Sequence, residues 1–420
     1  MRAGIDRRAM ALLSSGHFAT DFANGALPAL LPFLKERFAL SYMAVGAVIL
    51  ASQASSSLIQ PLFGLWSDRR GAMWLLPVGV AVAGIGIALA ADAPSYWLVL
   101  VLVLASGIGS AAYHPEGSKF AGFVSGPKRA SGMSWFSIGG NLGFGVGPLA
   151  TTAVIAAFGL HGGLLLALPG LAVALALLAG ASYLGGFVPQ AGAARAVTGR
   201  DNPFAMKLLL GVIALRSVAW FGLITFVPLW EVSLGHSKSH GNHLLALMLF
   251  AGGVGTLALG PLADRFGART VLLASVIATG PLVLVFVLVG GVPGTIALAL
   301  VGTCVVGTFG VTMVMGQEYM PRHLGTASGL VIGLSVGLGG VAALALGSLA
   351  DATTLRTALF VAAAAPLVAS VLAFMLPPAR TRQRLEPAEG IARDALLGGS
   401  ADMAALPFTP NVGSRTDGGP

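Results

Sequence analysis

Charge is scarce in this chain: Asp, Glu, Lys and Arg make up 10% of its 420 residues, against about 25% in soluble globular domains. With 56% of the residues hydrophobic, that scarcity excludes a soluble fold, which could not hide so much apolar surface. Cysteine occurs once, at Cys304, so no internal disulfide can form. Despite 59 glycines, no G-x-x-x-x-G-K-[ST] loop occurs, and nucleotide-driven pumping has no support. No basic patch interleaved with aromatics speaks for nucleic acid. No nucleophile and base stand at catalytic spacing, so an enzyme is not expected, nor is a cofactor.

What the chain does have is twelve apolar runs separated by short polar breaks. Each is about 20 residues or slightly longer, the length a helix needs to cross a hydrocarbon core about 30 Å thick. The expected spans are 9–33, 42–66, 72–91, 95–115, 129–157, 162–186, 207–232, 243–263, 268–290, 295–319, 325–350 and 354–377. The first follows Arg2, Arg7 and Arg8 as a signal peptide would. It is too long and too polar for one and lacks a small-residue cleavage site, so it is read as a retained helix. Of the 24 Lys and Arg, nineteen fall on the side of the N-terminus, four (Lys35, Arg37, Lys238, Arg356) on the other, and Arg216 lies within a helix. Positive loops stay in the cytoplasm, so both termini are expected there, and the net charge of +8 reflects this bias.

The chain repeats itself. "GLWSDRRGAMW" from Gly64, after helix 2, returns as "GPLADRFGART" from Gly260, after helix 8, 196 residues later. "GPKRASG" from Gly126 returns as "MPRHLGTASG" from Met320 at nearly the same offset. The chain therefore divides into a six-helix bundle over 1–186, a cytoplasmic linker over 187–206, a second bundle over 207–377 and a disordered cytoplasmic tail over 378–420.

The spacing G-x-x-x-D-R-x-G, carried by Gly64, Asp68, Arg69 and Gly71 and echoed by Asp264, Arg265 and Gly267, resembles the signature loop of the major facilitator superfamily. The glycines permit a tight turn and close helix approach, and the aspartate can meet a helix N-terminus or an arginine. "HFATDFANGALPALLPFL", "SAAYHPEGSKFA" and "GGNLGFGVGPL" more narrowly resemble the fosmidomycin-resistance family of drug exporters within it, and "MGQEYMPRHLG" extends the likeness to the second half. The resemblance implies an all-α membrane protein, twelve helices in two pseudo-symmetric bundles, alternating access, and proton-coupled export of a drug-like compound such as the phosphonate fosmidomycin. Gly143, Gly147 and Pro148 resemble the glycine-proline motif of proton-driven exporters, although Leu149 to Thr152 lack its trailing glycine pair. The helix 4 arginine of many drug and proton antiporters is absent, its place taken by Val103.

Polar residues inside such helices are costly, so their pattern points to function. Ser14, His17, Asp21 and Asn24 are spaced three, four and three apart and form one stripe. Either they knot helix 1 to its neighbours, or Asp21 carries a proton with His17 as partner. Arg216 lies in the repeat-related position of helix 7. It can bridge deprotonated Asp21 or bind an anionic substrate. Gln53, Ser56 and Gln60, Ser106, Ser110 and His114, and Ser134, Ser137 and Asn141 form further stripes, with Gln53 and Asn141 the better ligand candidates. Pro115 is expected to end or kink helix 4 near the cytoplasmic face, making His114 and Glu116 an inner gate or a second protonation site. His236, His240 and His243 fall four and three apart around the loop between helices 7 and 8, where "SKSHGN" reads as loop, and no metal site is expected.

The expected partners are thus a small-molecule substrate, protons and membrane lipid, the chain acting as a monomer. Two rivals to antiport stand: a proton symporter importing an organic anion, and a non-transporting membrane sensor or assembly partner.

Overall fold

A computed structural model describes residues 4–70, 72–126, 128–187 and 200–377. Its helices are α1 (Arg7–Arg37), α2 (Tyr42–Arg70), α3 (Leu75–Asp92), α4 (Tyr96–Val124), α5 (Arg129–Phe158), α6 (Ala167–Ala179), α7 (Ala181–Gly185), α8 (Pro203–Ser233), α9 (Lys238–Phe266), α10 (Ala268–Leu288), α11 (Gly291–Gly307), α12 (Phe309–Tyr319), α13 (Leu324–Ala352) and α14 (Leu355–Met375). Among the described residues, eleven segments are long and apolar enough to cross a membrane. The twelfth span is α1, 31 residues long; its stripe of Ser14, His17, Asp21 and Asn24 dilutes its hydropathy without shortening it.

Several boundaries differ from expectation. Pro115 does not end helix 4, which runs through it to Val124. Proline removes one N–H and displaces one carbonyl, a local loss that a long, well-packed helix absorbs. His114 therefore lies ten residues inside the helix end, about 15 Å from it. The "SKSHGN" stretch is helical as well, because Ser237 accepts from His240 N at 3.1 Å and caps α9 from Lys238 onward. Helix 7 begins inside the stretch assigned to the linker: Asn202 caps Ala205 N at 3.1 Å and Pro203 takes the first turn, where its missing N–H costs nothing. Span 10 is jointed at Thr308, between α11 and α12, and span 6 opens with a 3-10 turn over Leu160–Leu166. Residues 188–199 of the linker and the whole tail from 378 lie outside the described residues.

Within the first half α1 packs on α5, and α4 on α2 and α3. In the second, α14 packs on α8 and α10, and α9 on α11. The halves meet along two seams, α2 against α13 and α5 against α9. Glycine sets the closest approach. A Cβ at Gly139, Gly143 or Gly147 would strike the carbonyl of Ser14, Phe18 or Phe22, three positions four residues apart along α1. Pro148 removes the helix donor for the Phe144 carbonyl, and that carbonyl faces Gly25 of α1. Gly143, Gly147 and Pro148, the residues that resemble the glycine-proline motif, thus sit in a seam inside one half.

The two halves converge at the end where α1 stops. Asp351 of α13 accepts from Tyr42 N and Met43 N of α2, both at 2.8 Å, so one half caps a helix of the other. Glu36 pairs with Lys238, and Asn242 donates to the Ala29 carbonyl and to Thr152 Oγ1 at 3.1 and 3.0 Å. Along one face of α13 the spacing then opens. A Cβ at Gly340 would sit 3.0 Å from Leu50 and one at Gly337 3.1 Å from Ser57, whereas Gly333 and Gly329 have nothing within 4 Å. The interior is therefore closed at the Arg37 end of α1 and opens towards the Arg7 end. Asp351→Ala is expected to weaken the closed end by about 0.5–2 kcal/mol, the range for a lost cap. Faster labelling of a cysteine at Ile224 from that end checks this, and an unchanged rate would deny Asp351 a part in closure.

Candidate functional site

Between the halves lies a cavity of about 280 Å³ whose wall includes Asp21, Asn24, Gln53, Arg216, Ser217 and Ser335. Aromatic surface from Phe144, Trp220, Phe221 and Phe309 completes it. Such a volume and such a mix suit a small organic solute held by apolar walls and oriented by a few polar groups.

Asp21 is the hub of its polar side. Its Oδ2 lies 3.2 Å from His17 Nε2, one turn back on α1, and its Oδ1 lies 3.3 Å from His114 Nε2 of α4. Asn24 donates to Oδ1 at 3.0 Å and itself accepts from Ser110 Oγ at 3.2 Å. The ring of His17 stacks on Phe136 with centroids 4.2 Å apart. Gly140 closes the group from α5, for a Cβ there would come within 2.5 Å of His17 Nε2 and 2.6 Å of Asp21 Oδ2. Gly140→Ala is accordingly expected to part His17 from Asp21 and to lower transport severalfold more than it lowers the amount of folded protein in the membrane. Flux normalised to folded protein measures it; equal losses in the two would make Gly140 a packing residue only.

Arg216 is 3% exposed and donates to Thr308 Oγ1 at 2.8 Å, at the joint between α11 and α12. It shares the cavity wall with Asp21 but makes no ion pair with it among the described residues; the carboxylate is taken by His17 and His114.

The other predicted residues are placed as follows. Asn24 and Gln53 line the cavity. Asn141 does not; it faces Gly253 across the α5–α9 seam. Glu116 is buried and pairs with Lys119 at 3.3 Å, so His114 and Glu116 part company, the histidine going to Asp21. Two residues apart on a helix, they point to different neighbours. Gly64 lies within α2 and forms no turn, because α2 continues to Arg70. The side chains of Asp68 and Arg69, and Gly71 entirely, lie outside the described residues. Asp264 and Arg265 are exposed in the last turn of α9, and Gly267 ends that helix with φ +91°, a conformation that favours glycine. At the closed end His236 and His240 converge on Glu231, at 2.5 and 3.5 Å, and His243 does not join them.

Sequence reading missed the meeting of His114 with Asp21, the contact of Gly140 and the joint at Thr308. Trp220 was missed as well, although its place one turn beyond Arg216 on α8 was a signal that could have found it.

Twelve spanning helices in two halves, with a polar cavity between them that is closed at one end, define a membrane transporter of small solutes and not an enzyme. The chain belongs to the Major Facilitator Superfamily, whose family model matches residues 13–343 and, in a second match, 209–411. It is 33% identical over 377 residues to the uncharacterized MFS-type transporter YfnC of Bacillus subtilis, covering 86% of this chain and 90% of that one. It is 29% identical over 375 residues to the fosmidomycin resistance protein of Escherichia coli, covering 86% and 91%. Among solved structures it resembles a bacterial homologue of the human lysosomal transporter Spinster in an inward-facing, unoccupied conformation. The TM-score is 0.74 at 15% identity, over 89% of this chain and 97% of that one.

Proposed function

We propose that this transporter is a proton-coupled antiporter of the inner membrane that exports a small organic anion, fosmidomycin or a related phosphonate. One observation carries the reading: a single cavity holds a buried cation, Arg216, and a carboxylate tied to two imidazoles. The first suits an anionic solute, and the second is a group whose protonation can change as the cavity changes sides. The likeness to a fosmidomycin resistance protein supports the substrate. The excess of Lys and Arg at the N-terminal side supports a cytoplasmic open end, with both termini there. The state described is then the one that loads solute from inside. The chain works as a monomer, each copy containing both halves of its cavity.

The reading is tested by the fosmidomycin tolerance of a pump-deficient bacterial host expressing the protein at verified membrane levels. Protection above an empty vector is expected. Unchanged tolerance with ample protein would remove this substrate, and increased sensitivity would favour uptake over export.

A further inference from the structure

The hydrogen bonds around Asp21 fix a proton count. His17 Nδ1 lies 2.9 Å from the Phe136 carbonyl and His114 Nδ1 lies 2.8 Å from the Ser110 carbonyl. A carbonyl only accepts, so both Nδ1 atoms must bear hydrogen. A neutral imidazole with hydrogen on Nδ1 presents a bare lone pair at Nε2. Both Nε2 atoms nevertheless face Asp21, at 3.2 Å from one oxygen and 3.3 Å from the other. A carboxylate also only accepts, so each contact sets a lone pair against a lone pair unless a proton lies in it. Asn24 cannot relieve this: its amide already donates to Asp21 Oδ1, and its own oxygen is taken by Ser110.

We infer that the His17–Asp21–His114 group holds two exchangeable protons in the conformation open towards the Arg7 end, and that they leave together when the access changes. Two protons can sit as two imidazolium rings flanking a carboxylate, or as one imidazolium and one carboxylic acid; either way both contacts are filled and the group carries one positive charge. With a single proton one contact becomes repulsive, and α1 and α4 must part there. The surroundings supply no substitute. From α4 the other ionisable groups are Tyr113, whose hydroxyl donates to the Leu13 carbonyl, and Glu116, paired with Lys119. From α5 the group meets Phe136 and Gly140, and across the cavity stands Arg216. As a statement about transport, this rests on the antiport reading above and sets its exchange at two protons per solute.

Solid-state NMR of the protein in lipid bilayers, with ¹⁵N-labelled histidine and ¹³C-labelled aspartate, counts the protons directly; His17→Gln and His114→Gln assign the two rings. Both rings are expected to keep hydrogen on Nδ1 at every pH, and the three side chains to lose two protons in one shared transition that Asp21→Asn abolishes. A ring found neutral with its hydrogen on Nε2, or a group that gives up one proton only, would overturn the inference. In proteoliposomes held at zero membrane potential, a pH difference of one unit should balance a fosmidomycin gradient of about a hundredfold for two protons. Balance at about tenfold would again overturn it. Flux indifferent to pH would instead defeat the antiport reading, leaving the proton count to be decided by the NMR transition.

Discussion

Asp21→Asn is expected to reduce pH-driven fosmidomycin efflux to the rate of vesicles without the transporter, a fall of at least about tenfold, while the protein still inserts and folds. The substitution is nearly isosteric. An asparagine amide can donate to one of the two Nε2 atoms that now meet Asp21 at 3.2 and 3.3 Å, so part of the tie between α1 and α4 survives. What is lost is the charge that lets His17 and His114 hold protons inside a low-dielectric bundle, where an unpaired charge is costly. The variant should therefore still bind the drug, and exchange labelled for unlabelled drug across the membrane without a pH gradient, but should fail to concentrate it. Full concentrative efflux by Asp21→Asn, at equal membrane levels, would reduce the group to a structural knot.

Arg216→Gln has the second large effect. Glutamine can keep the hydrogen bond to Thr308 that Arg216 makes at 2.8 Å, so the joint between α11 and α12 retains its partner. The positive charge disappears from the cavity wall. A hydrogen bond to a charged partner contributes about 1.5–3 kcal/mol, so affinity for a phosphonate should weaken about ten- to a hundredfold. A neutral analogue of similar size should lose little. Arg216→Lys should fall between, keeping charge but not the planar fork that grips two oxygens at once. The comparison is read from the concentration dependence of transport for the anionic and the neutral compound. Equal losses for both would mean that Arg216 holds the fold and not the solute.

Much of this architecture was legible because the bilayer leaves few choices. A run of about 20 apolar residues has to be a helix, and eleven of the twelve spans announce themselves by hydropathy. The exception, α1, was legible for the opposite reason: four polar residues at helical spacing in an apolar segment demand a shared inner face. Asp21 and Arg216 could be picked out as charges with nowhere else to go. The partner of Asp21 could be read only in part. His17 follows from spacing along one helix, but His114 comes from α4, and its meeting with Asp21 depends on how α1 and α4 pack. Proline misled at position 115, since a helix stop in water is only a displaced carbonyl in a packed bundle. Asn141 misled because a polar stripe shows which residues share a face and not which neighbour that face meets; here it meets α9 at Gly253. Gly140 was hidden among the glycines of α5, whose importance lies in the atoms a Cβ would strike.

The most direct test of the whole account is drug movement in proteoliposomes with an acidic lumen and no solute gradient. The account predicts that fosmidomycin accumulates in the acidic lumen as protons leave, that passive partitioning of a weak acid would drive it the other way, and that Asp21→Asn abolishes the accumulation. Accumulation only when the lumen is alkaline would make the protein a symporter, and no movement under either gradient by folded protein would contradict proton-coupled transport of this anion.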